Sequence, residues 1–205
     1  ASRETPMLRF GVLGSGKGSN FRALAEAFQS QTLGAHPVIV LSDVEHAGIL
    51  NLAREFEIPC HFVAPGSFRT KMSSEAEEEI VRLLREAKVD FIVLAGFMRV
   101  IKEPLLQAFP GRILNIHPSL LPAFRGLEAW RQAIEAGVSE AGCTVHLVDA
   151  GVDTGAILGQ SCVPVLPGDT AESLHARIQV AEHELYPRIV REFAGTIRGK
   201  TPSPI

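Results

Sequence analysis

A chain of 205 residues with 46% hydrophobic and 21% charged side chains can bury one sizeable core, which is the profile of an ordinary water-soluble globular protein. Its formal net charge of −3 argues against a dedicated nucleic-acid binder, which carries a basic surplus or stripe. No apolar run approaches the roughly 18 residues of a membrane span, and the polar start lacks a signal-peptide core, so a cytoplasmic protein is expected. Cys60, Cys143 and Cys162 lie far apart with no C-x-x-C pair, so the expectation is small core residues in a reducing compartment, with no metal site and no disulfide framework.

Met7 to Leu13 reads as a first strand, and Gly14-Ser15-Gly16-Lys17-Gly18-Ser19-Asn20 leads from it into a helical pattern of Phe21, Leu24, Ala25 and Phe28. A glycine-rich turn at a helix N-terminus lets backbone amides approach an anion, so this is a phosphate-site candidate. Two better-known loops fit it poorly. A Walker reading puts Gly18 where the magnesium-binding Ser or Thr belongs and starts at Gly11, inside the strand; the dinucleotide fingerprint is one residue short. The alternative is a tight turn that binds nothing, but a turn alone does not require three glycines.

Pro37 to Leu41 is a second β-rich run, followed by a helix through Ile49, Leu50, Ala53 and Phe56 and a third strand at Pro59 to Val63. Ser74-Glu75-Ala76-Glu77 fits a capping box for a helix whose apolar stripe is Ile80, Leu83, Leu84 and Ala87. Its acidic cluster, Glu75, Glu77, Glu78 and Glu79, is expected on a solvated face. Val89 to Leu94 forms a strongly apolar strand that ends in Ala95-Gly96-Phe97-Met98-Arg99. Alternating strands and helices point to right-handed βαβ units and a mostly parallel sheet, where ligands gather beyond the strand carboxyl ends.

Leu114-Asn115-Ile116-His117-Pro118-Ser119-Leu120-Leu121-Pro122 follows. Side chains at i and i+2 of a strand share a face, so Asn115 and His117 emerge side by side, and Pro118 keeps His117 extended. By itself the fragment is equally well a core histidine beside a turn asparagine. Leu127 to Ala136 is helical, and Gly142 to Val148 alternates as a strand with Thr144 and His146 on one face. The turn Asp149 to Gly155 precedes a strand over Ala156 to Val165, and either aspartate there could be only a turn former. Asp169-Thr170-Ala171-Glu172 caps a last long helix, kinked at Pro187, on which His175, Gln179 and Glu182 make a polar stripe of the kind that is usually a wet face. One domain over 1–205 is expected, with loose tails at 1–6 and 201–205.

Taken together, Gly18-Ser19-Asn20, Leu94 to Arg99, Asn115 to Pro122 and Val152-Asp153-Thr154-Gly155 resemble, in order and spacing, the phosphoribosylglycinamide formyltransferases, over about Met7 to Ile197. The resemblance implies a three-layer α/β fold of Rossmann-like kind, with helices on both faces of a mostly parallel twisted sheet. It also implies formyl transfer from 10-formyltetrahydrofolate to the primary amine of glycinamide ribonucleotide in purine synthesis. The partners would be small molecules only, with no nucleic acid, membrane or metal, and the protein a monomer or homodimer. It assigns Asn115, His117 and Asp153 to catalysis, Gly18, Ser19 and Asn20 to the substrate-phosphate loop, and Glu182 to the ribose. Met98, Arg99, Val100 and Asn115 would line the folate pocket, with Val152 adding an apolar contact, and Lys71 stands near a basic residue that serves the phosphate.

The chemistry behind that assignment is coherent. An amine attacking a formamide makes a tetrahedral carbon whose oxygen becomes negative, so donors should wait there: Asn115 neutral, His117 charged. An Asp153 carboxylate nearby would favour the imidazolium and could take the attacking amine's proton, directly or through a water. This sequence departs from the family at Gly126-Leu127-Glu128-Ala129-Trp130, where Gly-Leu-His-x-His is common. Arg125-Gly126 also resembles the methionyl-tRNA formyltransferases, which carry a further C-terminal domain, as the formyltetrahydrofolate hydrolases carry an N-terminal one; neither extra domain is expected here. A formyltransferase for an amino-sugar nucleotide, or a non-catalytic phosphate-binding α/β protein, stands as the alternative.

Overall fold

The computed structural model describes residues 6–199. In chain order its elements are β1 (Leu8–Leu13), α1 (Ser19–Gln29), β2 (Ala35–Ser42), α2 (Gly48–Glu55), β3 (Cys60–Phe62), α3 (Ser74–Glu86), β4 (Phe91–Leu94), α4 (Glu103–Ala108), β5 (Ile113–His117), α5 (Ala129–Ala136), β6 (Glu140–Leu147), β7 (Ile157–Pro164) and α6 (Ala171–Arg198). The tails expected to be loose fall, Pro6 apart, outside the described residues.

The strands are the densest apolar runs: Phe91-Ile92-Val93-Leu94 is buried throughout, as a strand covered on both faces must be. Alternation sends Phe10, Val12, Phe91, Val93 and Leu114 to one face, against Phe21 of α1, Ile49 of α2, Ala133 of α5 and Tyr186 of α6. Leu13, Ile92, Leu94 and Ile113 point to the opposite face, closed by Ile80 and Leu84 of α3 and Leu105 of α4. The result is the expected three layers, helix on sheet on helix.

The seven strands run in the order β3-β2-β1-β4-β5-β6-β7. β1 to β5 are mutually parallel, whereas β6 is antiparallel to β5 and β7 is antiparallel to β6. From β1 the chain moves outward to β2 and β3, then returns to the other side of β1 at β4. The carboxyl ends of β1 and β4 therefore flank a topological switch point, where open α/β sheets leave a crevice. Leading into it are the Gly14–Asn20 loop and the Ala95–Arg99 segment, and β5 ends next door.

Several local expectations are corrected. Glu77 is not on a wet face: it is 1% exposed, and its carboxylate accepts from the Lys102 and Leu105 N–H groups at 3.1 to 3.3 Å. α4, a short helix absent from the sequence reading, has no side-chain cap of its own, so a carboxylate from α3 satisfies its open N–H groups. Burial pushes the Glu77 carboxyl up, with those backbone bonds and the charges of Lys102 and Lys71 opposing. Because Glu77 turns away, α3 is capped one residue earlier, by Ser73, whose hydroxyl accepts from the Ala76 N–H at 3.1 Å. Of the cysteines only Cys143 is a core residue; Cys60 is half-buried and Cys162 is exposed on the edge strand. The cap of α6, a 28-residue helix with Pro187 inside it, is a Thr170–Ser173 box rather than one closed by Glu172.

Candidate active site

β5 delivers Asn115 and His117 to the same face at its carboxyl end, and β6 completes the group. In the antiparallel register His146 lies opposite Asn115 and Thr144 opposite His117. Directly opposed residues of paired strands touch, and Asn115 Nδ2 lies 3.5 Å from His146 Nε2. The other His146 nitrogen, Nδ1, lies 2.9 Å from the Leu147 carbonyl and carries a proton, while Nε2 faces both the Asn115 amide and the Asp153 carboxylate. That contact can engage one Nδ2 hydrogen at most, which leaves the second free. His146 is 2% exposed, whereas Asn115 is half-buried.

Asp153 returns to this pair. Its Oδ2 stands 3.4 Å from His117 Nδ1 and its Oδ1 3.6 Å from His146 Nε2, which are ion-pair separations. The Gly126 N–H donates to Oδ2 at 3.0 Å. Burial raises the Asp153 carboxyl, but the His146 ring, the Gly126 N–H and the His117 charge together outweigh it and hold the group below the usual carboxylate range. His117 Nε2 lies 2.8 Å from the Phe124 carbonyl, so both nitrogens of this ring, 5% exposed, face acceptors. Only an imidazole protonated on both nitrogens can donate to both.

The two candidate aspartates of the turn thus divide their roles. Asp149 Oδ1 accepts from the Gly151 N–H at 2.9 Å and the Thr154 hydroxyl at 2.7 Å, closing the turn, while Asp153 adopts a left-handed φ of 54° that aims its carboxylate back at β5. The chain after His117 is pinned as well: Thr144 Oγ1 donates to the Ser119 carbonyl at 2.7 Å and accepts from the Leu121 N–H at 3.0 Å.

Gly14 to Asn20 curls from β1 into α1. Of its three glycines, two answer to packing. A Cβ on Gly14 would lie 2.6 Å from the Ala95 carbonyl oxygen, and one on Gly18, whose φ is +80°, would lie 2.7 Å from Ile49 Cγ1. At Gly16 a Cβ would meet nothing within 4 Å, so there the bare backbone faces open space. α1 starts without a side-chain cap, leaving its first N–H groups to an outside acceptor. Asn20 Oδ1 is buried without a hydrogen-bond partner, and the Asn20 side chain bonds with Glu182 of α6. Glu182 is 6% exposed rather than wet, and burial pushes its carboxyl up to about 7, with Asn20 partly opposing.

At the end of β4, Met98 is 67% exposed, and across the turn Val152 is 54% exposed, two apolar side chains presented to solvent. Arg99 differs: its guanidinium turns inward, with Nε 2.9 Å from Asp43 Oδ2. Val100 pairs with Lys71 in an isolated bridge. The Lys71 ammonium lies over the Phe68 ring, 4.4 Å from its centroid, and among the described residues no hydrogen bond or ion pair ties it to the Gly14–Asn20 loop. Trp130 stacks on His175 with centroids 3.7 Å apart, which gives it a packing role, and Glu128 pairs with Arg131 at 3.5 Å. No group of three or more His, Cys, Asp or Glu among the described residues has the arrangement of a metal site, and no helix among them is long and apolar enough to cross a membrane.

Sequence reasoning missed two members of this region. His146 was legible as the face-mate of Thr144, but not as the neighbour of Asn115 until the antiparallel register was known. Asp43 gave no signal beyond ending a strand.

A donor amide, two imidazoles and a shared carboxylate thus meet at strand ends beside an anion-ready turn. The model of the formyl transferase family matches residues 8–190, and the chain belongs to that family. Within it, the chain is similar to the phosphoribosylglycinamide formyltransferase of Bacillus subtilis (strain 168), at 41% identity over 189 residues covering 92% of this chain and 96% of that protein. The crystal structure of glycinamide ribonucleotide transformylase 1 from Symbiobacterium toebii superposes with a TM-score of 0.89 at 44% identity, covering 96% of this chain and 94% of that one. The trifunctional purine biosynthetic protein adenosine-3 of Drosophila pseudoobscura pseudoobscura is 46% identical over 196 residues, 94% of this chain, which spans 14% of that longer protein.

Proposed function

We propose that this chain transfers the formyl group of 10-formyltetrahydrofolate to the primary amine of glycinamide ribonucleotide, in purine biosynthesis in the cytoplasm. The observation that carries the reading is the return of Asp153 to within 3.4 Å of His117 Nδ1, with His146 and Asn115 completing the group. A protein that only bound phosphate would need the Gly14–Asn20 turn alone. The described residues act as one catalytic domain on two small molecules, without nucleic acid, membrane or metal, as a monomer or homodimer.

Asp153 is held ionised, so it can take a proton from the substrate ammonium, directly or through one water, and free the amine to attack the formyl carbon. As the new C–N bond forms, the carbonyl oxygen becomes an oxyanion, and the free Asn115 Nδ2 hydrogen is the neutral donor for it. Sequence reasoning gave His117 a second direct hydrogen bond to that oxygen. In the observed geometry both His117 ring nitrogens face acceptors, Asp153 and the Phe124 carbonyl, so a protonated His117 acts through its charge, and direct donation requires Phe124 to let go. Attack leaves the new nitrogen cationic; collapse breaks the bond between the formyl carbon and the folate nitrogen, the second proton of the attacking nitrogen passes to the folate nitrogen, and Asp153 gives up the first to solvent. The uncapped α1 N-terminus and the open backbone at Gly16 suit a phosphate, Glu182 and Asn20 suit ribose hydroxyls, and Met98 and Val152 suit the apolar body of a folate.

The test is a direct assay with glycinamide ribonucleotide and 10-formyltetrahydrofolate, following tetrahydrofolate release. Turnover with that amine, at a kcat/KM well above that for amino-sugar nucleotides, is expected; a folded sample that releases no tetrahydrofolate refutes the reading.

A further inference from the structure

Loops leaving three neighbouring strands are tied together by one side chain. Asp43, at the end of β2, is 6% exposed, and both its oxygens are occupied: the Ser15 hydroxyl donates to Oδ1 at 2.5 Å and Arg99 Nε donates to Oδ2 at 2.9 Å. Ser15 belongs to the loop after β1. Its hydroxyl oxygen accepts from the Met98 N–H at 2.9 Å, and its own N–H donates to the Gly96 carbonyl at 3.0 Å. Arg99, from the loop after β4, also donates through Nη1 to the Phe68 carbonyl at 2.6 Å and the Lys71 carbonyl at 3.2 Å. The Val100 N–H donates to the Thr70 carbonyl at 2.8 Å and completes the strap.

Both carboxylate oxygens of Asp43 thus lead, through Ser15 or through Arg99, to the segment Gly96–Val100. We infer that Asp43 is a positioning residue for the formyl donor: through Ser15 and Arg99 it fixes the shape of the strand-end segment that receives the folate and ties it to the anion loop after β1. The inference rests on the formyltransferase reading above. A buried ion pair is weak support for overall stability, because desolvation offsets most of its attraction, so the network is better explained by the geometry it imposes. Both Asp43 oxygens and the Arg99 Nε and Nη1 are engaged within this network.

The experiment compares wild type with Asp43→Asn and Ser15→Ala by calorimetric titration of tetrahydrofolate and, separately, of glycinamide ribonucleotide, alongside steady-state kinetics. Asp43→Asn removes the charge pair with Arg99. Ser15→Ala cuts the link to Met98 without leaving a buried charge unpaired, so it keeps the test available if the first variant fails to fold. The tetrahydrofolate dissociation constant should rise about ten- to hundredfold in Asp43→Asn, the loss of one charge-assisted hydrogen bond, and about three- to tenfold in Ser15→Ala. KM for 10-formyltetrahydrofolate should rise with it, and by at least about threefold more than the nucleotide constant, because Asp43 reaches the anion loop only through Ser15. Unchanged tetrahydrofolate binding in a folded variant, or equal weakening for both ligands as a purely structural role would give, overturns the inference and leaves the formyltransferase reading intact. A wild type that binds no tetrahydrofolate overturns both.

Discussion

Replacing Glu182 with Gln makes the sharpest physical test of the site. The carboxyl is 6% exposed, and burial lifts it to about 7 from the ordinary 4.5, with the Asn20 side chain opposing only in part. The folded protein therefore holds a proton that the unfolded chain releases. For a group raised on folding, the stability it contributes is complete below the unfolded value and is lost as pH rises through the folded one. Between about pH 4.5 and 7 the wild type should lose about 3 kcal/mol at this one site, or about 6 to 12 °C in Tm for a domain of this size. Glutamine keeps the size and cannot titrate. Urea unfolding of both proteins at pH 5, 6, 7 and 8 should show the stability advantage of Glu182→Gln growing with pH by about that amount. Parallel pH profiles would refute the buried-carboxyl argument. Glycinamide ribonucleotide adds a second arm, because ribose hydroxyls donating to Glu182 favour its charged form. Binding near pH 6.5 should then release protons in wild type and none from this site in the variant, as calorimetry in buffers of different ionisation enthalpy would show.

Asn115→Ala removes the free amide donor and should lower kcat by about 10²- to 10³-fold with the fold retained, a loss read by turnover and circular dichroism together. Asp153→Asn should lose rate while nucleotide binding by calorimetry stays within a few-fold. Because the folded Asp153 carboxyl is depressed, the stability it supplies is present above the ordinary value of 3.8 and lost as pH falls through the folded value, so the variant should also lack that part of the acid transition. The glycine loop gives a matched pair. Gly18→Ala meets Ile49 at 2.7 Å in a left-handed conformation and should cost about 1 to 3 kcal/mol in urea unfolding. Gly16→Ala meets nothing within 4 Å and should leave stability within about 0.5 kcal/mol while weakening nucleotide binding, since its side chain would stand where the phosphate is expected.

The sheet was legible because its strands are continuous apolar runs, and continuous runs between glycine-rich turns mean strands buried on two faces. Helix patterns were equally clear, yet the two buried carboxylates on helices, Glu77 and Glu182, were read as facing water, and the reason is visible in the spacing. Glu77, Ile80, Val81 and Leu84 fall at i, i+3, i+4 and i+7, and Glu182 sits between Ile178 and Leu185 at four and three residues. Both acids lie on their helix's apolar stripe. Reading them with their polar neighbours put them in water; reading them by position puts them inside, where each needs a partner. α4 was missed because it is six residues long and starts beside Pro104, too short for a period to show. His146 was missed for a different reason: alternation names a face but not the strand across from it, and the switch from parallel to antiparallel pairing at β6 is invisible in composition.

Asp153 shows why a shared carboxylate is a more informative target than either imidazole. Its two oxygens meet His117, His146 and the Gly126 N–H, so one side chain joins the turn Asp149–Gly155 to the loop after β5 and balances the charge of the ring between them. Asp153→Ala would remove the base, the charge partner and the loop tether at once, and a dead variant would say little. Asp153→Asn keeps an oxygen for the Gly126 N–H and turns an amide toward the rings. The oxygen kept for the Gly126 N–H is the one 3.4 Å from His117 Nδ1, so the new NH2 faces His146 and His117 loses only the negative charge beside it. If the positive charge of His117 is what the reaction uses, Asp153→Asn should lose rate even where an added small carboxylate supplies the missing base. Full rescue by acetate would instead make Asp153 a base and nothing more.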